Sequence, residues 1–205
     1  MTSQGQRIGL LGGSFNPAHG GHRHLSLNAL RLLALDQVWW LVSPQNPLKR
    51  SRGMAPFDIR LAHARRVADH PRIHVSDIEA RIGTRFTVDT LAKLKRRHRQ
   101  HRFVWLMGAD NLQQLPKWNH WEEILGAMPV AVFDREPYSW NVLGQQAASR
   151  FRRFQWSQQD GRALADADPP AWGFFRMKRH PMSATWVRST GATPWPPSDA
   201  PAMED

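Results

Sequence analysis

One glycine-rich segment of this chain reads Gly12-Gly13-Ser14-Phe15-Asn16-Pro17-Ala18-His19-Gly20-Gly21-His22. It follows a short apolar run, residues 8–11, which predicts a buried strand, and it precedes a pattern of helical spacing over residues 25–35. A strand, a glycine-rich turn and a helix N-terminus form an anion site, because backbone N–H groups and the positive end of the helix dipole point into the turn. The segment therefore predicts a turn that binds a polyphosphate.

The turn itself offers small residues and backbone donors. Gly12 and Gly13 permit a tight turn, and their missing side chains let a phosphate approach the backbone. Ser14 and Phe15 would supply backbone N–H groups to that phosphate. We interpret Asn16 as a structural amide that holds the loop.

Two histidines stand where the helix begins. His19 and His22 are three positions apart, so both imidazoles can lie on one side of the first helical turn and donate to a phosphate. The alternatives are a packing role or metal ligation, but the chain has no Cys and no neighbouring carboxylate completes a ligand set. Phosphate contact is the preferred interpretation because the glycines and the strand accompany the histidines.

Residues 12–22 resemble the GxFxPxHxGH motif of the nucleotidyltransferase superfamily, which is related to the class I aminoacyl-tRNA synthetases. A second match, Ser183-Ala184-Thr185-Trp186-Val187-Arg188, resembles the C-terminal (S/T)xTxxR element of that superfamily. Between them, residues 83–91 and 108–118 are similar to the nicotinate-nucleotide adenylyltransferase family. The resemblance covers about residues 8–190.

The resemblance implies transfer of the adenylyl group of ATP to nicotinate mononucleotide, with pyrophosphate as the second product. The implied catalytic residues are His19, His22, Lys49 and Arg188. The implied ATP-binding residues are Gly12, Gly13, Ser14, Phe15, His19, His22, Gly108, Asp110, Ser183, Thr185 and Arg188. The implied residues for nicotinate mononucleotide are Ser14, Phe15, Lys49, Phe86, Thr87, Trp118 and Arg135. Mg²⁺ would accompany ATP and be held by substrate oxygens and water, with no protein side chain as a metal ligand.

Other roles stay open for several of these residues. Trp118 would stack on the pyridine ring or pack in the core, and Asp110 would accept from a ribose hydroxyl or cap a helix. Residues 183–188 would clamp phosphates or form an ordinary capped helix. Lys49 would reach a phosphate or be solvated, and Arg60 is interpreted as a helix-surface arginine.

The identity of the acceptor is also open, since nicotinamide mononucleotide and phosphopantetheine are alternatives to nicotinate mononucleotide. A different class, a basic RNA-binding module with an inactive nucleotide site, is suggested by the charge of +11 and by the basic run 93–102. That run ends a predicted helix, where cations complement the dipole and face water, so we expect no nucleic-acid partner.

Composition sets the remaining expectations. The chain has 205 residues, 41% of them hydrophobic, and no Cys, which suits one packed domain in a reducing cytoplasm. No apolar run approaches the ~20 residues of a membrane span, and we expect no membrane partner. The sequence leaves the oligomeric state open.

Alternating strands and helices predict the fold class. We expect strands at 7–11, 38–42, 73–76, 103–107, 130–133 and 172–177, and helices at 20–35, 57–69, 87–97, 112–115 and 121–125. This alternation indicates an α/β fold, a Rossmann-like doubly wound parallel sheet with helices on both faces, of the HxGH nucleotidyltransferase type. Residues 1–190 would form the single domain, and residues 191–205 a proline-rich, disordered tail.

Overall fold

A parallel β-sheet organises the computed structural model, which describes residues 5–44, 53–134 and 142–178. Within these residues the sheet has seven strands in the order β3-β2-β1-β4-β5-β7-β6, and every neighbouring pair is parallel. The strands are β1 Arg7–Gly13, β2 Gln37–Val42, β3 Ile73–Ser76, β4 Arg102–Gly108, β5 Val130–Phe133, β6 Gln155–Trp156 and β7 Trp172–Phe175.

Helices precede or follow most strands. They are α1 Gly20–Leu32, α2 Phe57–Ala68, α3 Ile78–Arg81, α4 Thr87–Arg97, α5 Ala109–Gln114, α6 Trp121–Ala127 and α7 Gln146–Arg150. Three short 3₁₀ segments, Leu115–Lys117, Val142–Gly144 and Arg152–Phe154, and a longer one, Gln159–Asp166, complete the regular structure of the described residues.

Strand order reverses between β1 and β4, which lie side by side at the centre of the sheet. From β1 the chain moves outward to β2 and β3, then returns to the other side of β1 as β4. In open parallel sheets a ligand binds beyond the carboxyl ends of the strands at this reversal. The glycine-rich segment directly follows β1, so the fold places it at that position.

The sheet buries both of its faces. Side chains alternate across a strand, and Leu11, Val104 and Leu106 pack with α1 and α2 on one face. Ile8 and Trp105 pack with α4 to α7 on the other face. Burial of each large apolar side chain contributes roughly 1.5–3 kcal/mol, and this explains why the strands consist of nearly continuous apolar runs.

The expected fold class is confirmed, and strands β3 and β5 and helix α4 begin and end where the sequence predicts. β1 is two residues longer than expected, because Gly12 and Gly13 still pair with Leu41 and Val42. Helix α1 ends before residue 35, because Ala34 has a left-handed φ of 49°. The last strand ends at Phe175, two residues earlier than expected.

Helix α5 begins at Ala109, directly after β4, rather than at residue 112 as predicted. Residues 140–171, for which no element was predicted, contain α7, β6 and a 3₁₀ helix that carries Leu164 and Ala165 into the core. The expected tail 191–205 lies outside the described residues. Every helix among the described residues is too short or too polar to cross a membrane.

Candidate active site

Polar loops converge at the carboxyl edge of the sheet. The glycine-rich segment follows β1, Ser43–Pro44 follow β2, Gly108–Asp110 end β4 and begin α5, and Asp134 follows β5. Because these strands are parallel neighbours, their carboxyl ends share one edge. The backbone N–H of Ser43 donates to the carbonyl of Gly13 at 2.9 Å, which ties the first two of these loops together.

The turn after β1 is held tightly by packing. Phe15 has a left-handed φ of 46°, which a non-glycine residue adopts only when its surroundings compensate the strain. Its ring is 2% exposed, stacks on Trp40 at 5.0 Å and lies 4.8 Å from the ring of His22. The side chain of Phe15 is therefore part of the core, and only its backbone can serve a ligand.

The two histidines cap helix α1. His19 is the N-cap residue, and its Nδ1 accepts from the backbone N–H of Gly21 at 3.1 Å. In return, Nδ1 of His22 accepts from the backbone N–H of His19 at 3.2 Å. An Nδ1 that accepts a hydrogen bond carries no proton, so in each neutral ring the proton is on Nε2.

This arrangement sets two imidazole donors side by side. The ring centroids of His19 and His22 are 3.9 Å apart, and His19 is only 2% exposed. Both rings lie at the positive end of the α1 dipole, where a helix favours an anion. The capping bonds fix the ring orientations, so each Nε2–H is a preorganised donor.

The surroundings of the two glycines, Gly12 and Gly13, differ in the space that they leave for a side chain. A Cβ on Gly12 would lie 2.3 Å from Cη2 of Trp105, so packing against that indole excludes a side chain. The nearest described atoms to a Cβ on Gly13 would be those of the Phe15 ring, at an ordinary 3.5 Å. We expected both positions to serve the approach of a phosphate; at Gly12 the visible reason is packing.

Arg60 is buried, contrary to the expectation of a helix-surface arginine. It is 1% exposed, and its guanidinium donates to four backbone carbonyls near the turn. Burial lowers the pKa of Arg60, although arginine stays charged in proteins. The sequence does carry a signal: Arg60 lies three residues after Phe57 and four before Ala64, within the apolar stripe of α2.

A second side chain of α2, His63, supports the turn. Its Nε2 is 3.1 Å from the carbonyl of Ala18, the residue before His19. Because a carbonyl only accepts, Nε2 of His63 carries the proton of this bond. Burial is the main cause that lowers the pKa of His63, which favours the neutral ring.

A half-buried carboxyl group also lies at this edge, on α3. Burial raises the pKa of Glu79 to about 7, and a hydrogen bond with the Ser43 side chain opposes the rise. Sequence reasoning missed Glu79, since an isolated acidic residue in a short helix carries no distinguishing pattern.

Further residues predicted for the acceptor or for ATP lie at the start of α4, at the start of α5 and after α5. Phe86 is the N-cap of α4 and Thr87 its first residue, and no side chain among the described residues caps that helix. Asp110 is the second residue of α5, whose N-cap is Gly108, so the alternative that Asp110 caps a helix is wrong. Trp118 is partly buried and packs against the core, as one of its two expected roles requires.

Five predicted site residues lie outside the described residues: Lys49, Arg135, Ser183, Thr185 and Arg188. The last described residue of the chain, Lys178, lies close to helix α1, which begins at the turn. The imidazole of His24, in the first turns of α1, hydrogen-bonds the carbonyl of Lys178, the last described residue. The segment that leads to Ser183 therefore starts beside the helix that His19 caps.

Comparisons with known proteins agree with this geometry. The family model described as cytidylyltransferase-like matches residues 10–189. A protein of Parvibaculum lavamentivorans named "Probable nicotinate-nucleotide adenylyltransferase" is 51% identical over 191 residues, which cover 93% of this chain and 95% of that protein. A protein of the same name from Gluconobacter oxydans is 50% identical over 185 residues, which cover 90% and 95%.

The fold is shared with a solved enzyme. The structure of Plasmodium falciparum nicotinic acid mononucleotide adenylyltransferase complexed with NaAD matches with a TM-score of 0.68, at 16% identity, over 90% of this chain and 83% of that one. The family model and the sequence matches confirm the family expected from the motifs: this chain belongs to the nicotinate-nucleotide adenylyltransferases, within the cytidylyltransferase-like nucleotidyltransferases.

Proposed function

We propose that this chain transfers the adenylyl group of ATP to nicotinate mononucleotide, forming nicotinate adenine dinucleotide and pyrophosphate. The observation that carries the proposal is the pair of Nε2–H donors of His19 and His22, fixed at the positive end of α1 beside the reversal of strand order. A polyphosphate placed there would meet both imidazoles and the backbone N–H groups of the turn.

The reaction needs no nucleophile from the protein. A phosphate oxygen of nicotinate mononucleotide attacks the α-phosphorus of ATP in line, the bond from that phosphorus to the bridging oxygen breaks, and pyrophosphate leaves with the electron pair. The protein aligns the two phosphates and stabilises the charge that grows on the leaving group. His19 and His22 would donate to that charge, together with Lys49 and Arg188.

The remaining ligands follow the expectations from the sequence. Gly12, Gly13, Ser14 and Phe15 would surround the phosphates of ATP with backbone, and Gly108 and Asp110 would hold a ribose. Ser183 and Thr185 would hold the β- and γ-phosphates. The approach of Lys178 to His24 supports this pairing of the two ends of the chain.

The acceptor would bind on the other side of the turn. The uncapped N-terminus of α4 supports Phe86 and Thr87 as the site of the nicotinate carboxylate, because the first-turn N–H groups of a helix favour an anion. Trp118 would stack on the pyridine ring, and Lys49 and Arg135 would contact the phosphate of the mononucleotide.

Mg²⁺ would enter with ATP. The described part of the turn does not suit a cation, since both Nδ1 atoms already accept backbone hydrogen bonds and the helix end is positive. Among the described residues, no group of three or more His, Cys, Asp or Glu residues could hold a metal ion. We therefore expect phosphate oxygens and water to bind Mg²⁺. We also propose a cytoplasmic location, where ATP is available.

Comparison of three acceptors tests the proposal. Pyrophosphate release from ATP is measured with nicotinate mononucleotide, nicotinamide mononucleotide and phosphopantetheine at matched concentrations. We expect the highest kcat/KM with nicotinate mononucleotide. The positive end of the α4 dipole would stabilise the nicotinate carboxylate, whereas a neutral amide would not gain this electrostatic stabilisation. A preference for either other acceptor contradicts the proposed substrate, and release with none of them contradicts the proposed reaction.

A further inference from the structure

We propose that Arg60 is a positioning residue which, together with Asn16, fastens Ser43, Pro44, Gly53 and Ala55 to the phosphate-binding turn and orients that turn for catalysis. The inference rests on the proposed function, because the turn it orients is the one proposed to bind ATP. Arg60 is too deeply buried to touch a substrate, so its effect would pass through the backbone groups that it holds.

The guanidinium of Arg60 joins three separate segments. Nη1 donates to the carbonyl of Ser14 in the turn at 2.6 Å and to the carbonyl of Ser43 after β2 at 2.8 Å. Nη2 donates to the carbonyl of Pro44 at 2.8 Å, and Nε to the carbonyl of Ala55 at 2.9 Å. A planar fork with five donors can reach such a set of acceptors, whereas a lysine cannot.

Asn16 makes the matching connection from the turn. Its Nδ2 donates to the carbonyl of Gly53 at 3.0 Å, and its Oδ1 accepts from the N–H of Ala55 at 3.1 Å. Together, Arg60 and Asn16 hold two pairs of residues beside the turn: Ser43 and Pro44, which follow β2, and Gly53 and Ala55, which precede α2.

The bond to Ser14 has a direct consequence for the turn. In a trans peptide the carbonyl and the following N–H point in opposite directions. By holding the Ser14 carbonyl on the α2 side, Arg60 aims the N–H of Phe15 away from α2. His63 acts in the same way on the carbonyl of Ala18, and the N–H of His19 then points to Nδ1 of His22.

Among the described residues Arg60 forms no ion pair with an acidic side chain: its guanidinium donates to four backbone carbonyls and lies 5.5 Å from the ring centroid of Phe57. Burial of a charge without a counter-ion costs free energy that a hydrophobic residue would not cost. An apolar residue of similar size would suit the stripe of α2. The contacts of Arg60 are therefore better explained by orientation of the turn than by stability.

Steady-state kinetics of Arg60→Lys and Arg60→Met, with Arg65→Met as the control, test the inference. Arg65 lies on the same helix and is exposed. We expect Arg60→Lys and Arg60→Met to lose about 10²-fold in kcat, the scale of an ångström-sized misplacement of reacting groups, and Arg65→Met to retain wild-type kcat and KM. Thermal unfolding of each variant shows what fraction is folded at the assay temperature.

Chemical rescue separates positioning from general support of the fold. Millimolar guanidinium should restore part of the kcat of Arg60→Met, and sodium chloride at the same ionic strength should not. If Arg60→Met does not fold, Asn16→Ala replaces it, and we expect a fall in kcat with little change in the unfolding midpoint. Folded Arg60→Lys and Asn16→Ala variants with wild-type kcat overturn the inference. Absence of wild-type turnover instead overturns the proposed function.

Discussion

At the level of single residues, we propose different purposes for the two nitrogens of the His19 imidazole. Nδ1 caps helix α1 by accepting from Gly21, and Nε2–H is the donor proposed for a phosphate of ATP. Stability and turnover should therefore depend on different atoms of one side chain. His22 repeats the arrangement with the backbone N–H of His19.

Substitution of His19 by Asn or by Ala separates these purposes. Asparagine is a favoured N-cap, so His19→Asn should keep the unfolding free energy near wild type, whereas His19→Ala should lose about 1 kcal/mol. Both lack the Nε2 donor and should lose about 10²–10³ in kcat, as for removal of one preorganised donor. Urea unfolding and steady-state kinetics give the two numbers, and near-normal kcat in His19→Asn contradicts the proposed role.

Glu79 makes stability depend on pH. Its pKa rises from an ordinary 4.5 to about 7 on folding, chiefly through burial. The folded protein thus binds this proton more tightly than the unfolded chain. The contribution of Glu79 to stability is complete below pH 4.5 and falls as the pH rises to about 7.

Glu79→Gln should remove this dependence, because the amide is neutral at every pH. The unfolding free energy of the variant minus that of the wild type should increase between pH 4.5 and pH 7 by about 3 kcal/mol. Above pH 7 this difference in unfolding free energy should no longer change with pH. Urea unfolding at pH 5 and pH 8 measures the difference; an equal difference at both pH values refutes the raised pKa of Glu79.

At the level of elements, the junction of β1 and α1 was well predicted because several signals coincide there. An apolar run, consecutive glycines and a helical pattern succeed one another within residues 7–32. Residues 142–171 gave a poor signal, because α7 and β6 are too short for a period to develop and Gln159–Asp166 has the three-residue period of a 3₁₀ helix. β6 has two residues, and α7 has five.

The buried polar contacts of α2 were not predicted. An arginine within an apolar stripe is usually solvated at the edge of that stripe, and its burial depends on carbonyls supplied by residues 14, 43, 44 and 55. Such long-range partners leave no local pattern. The capping role of His19 was missed because histidine is not among the preferred N-cap residues.

The two glycines of β1 allow a prediction at the level of the element. Gly12→Ala should destabilise the protein by about 1–3 kcal/mol, as overpacking of a core does, because its Cβ meets Trp105. Gly13→Ala should leave stability nearly unchanged and instead raise the KM for ATP, since its methyl group would lie in the turn. Thermal unfolding and ATP titration of both variants check this; equal destabilisation of the two contradicts it.

At the level of the whole molecule, the basic run 93–102 lies at the sheet edge opposite the turn. Arg102 begins β4 and pairs with Arg7, the first residue of β1, and both guanidiniums approach Asp166. Lys95 donates to the carbonyl of Ala127. A seven-residue strand separates the edges by roughly 20 Å, well beyond the Debye length of about 8 Å at physiological salt.

The exposed arginines of this run should therefore not contribute to turnover. We expect the triple variant Arg96→Gln, Arg97→Gln and Arg99→Gln to keep wild-type kcat/KM for both substrates at physiological ionic strength. Kinetics in low and physiological salt check this. A fall in kcat/KM at physiological salt would mean that the run acts on the site in spite of this separation.

We propose that the turn between β1 and α1 activates the α-phosphorus of ATP for attack by nicotinate mononucleotide. ATP labelled at the α-phosphorus tests this role when its turnover by wild type is compared with turnover by His19→Asn. We expect wild type to move the label into nicotinate adenine dinucleotide and to release one unlabelled pyrophosphate, and we expect the variant to do so far more slowly. Label in pyrophosphate, or equal rates for the two proteins, would refute the proposed role of the turn.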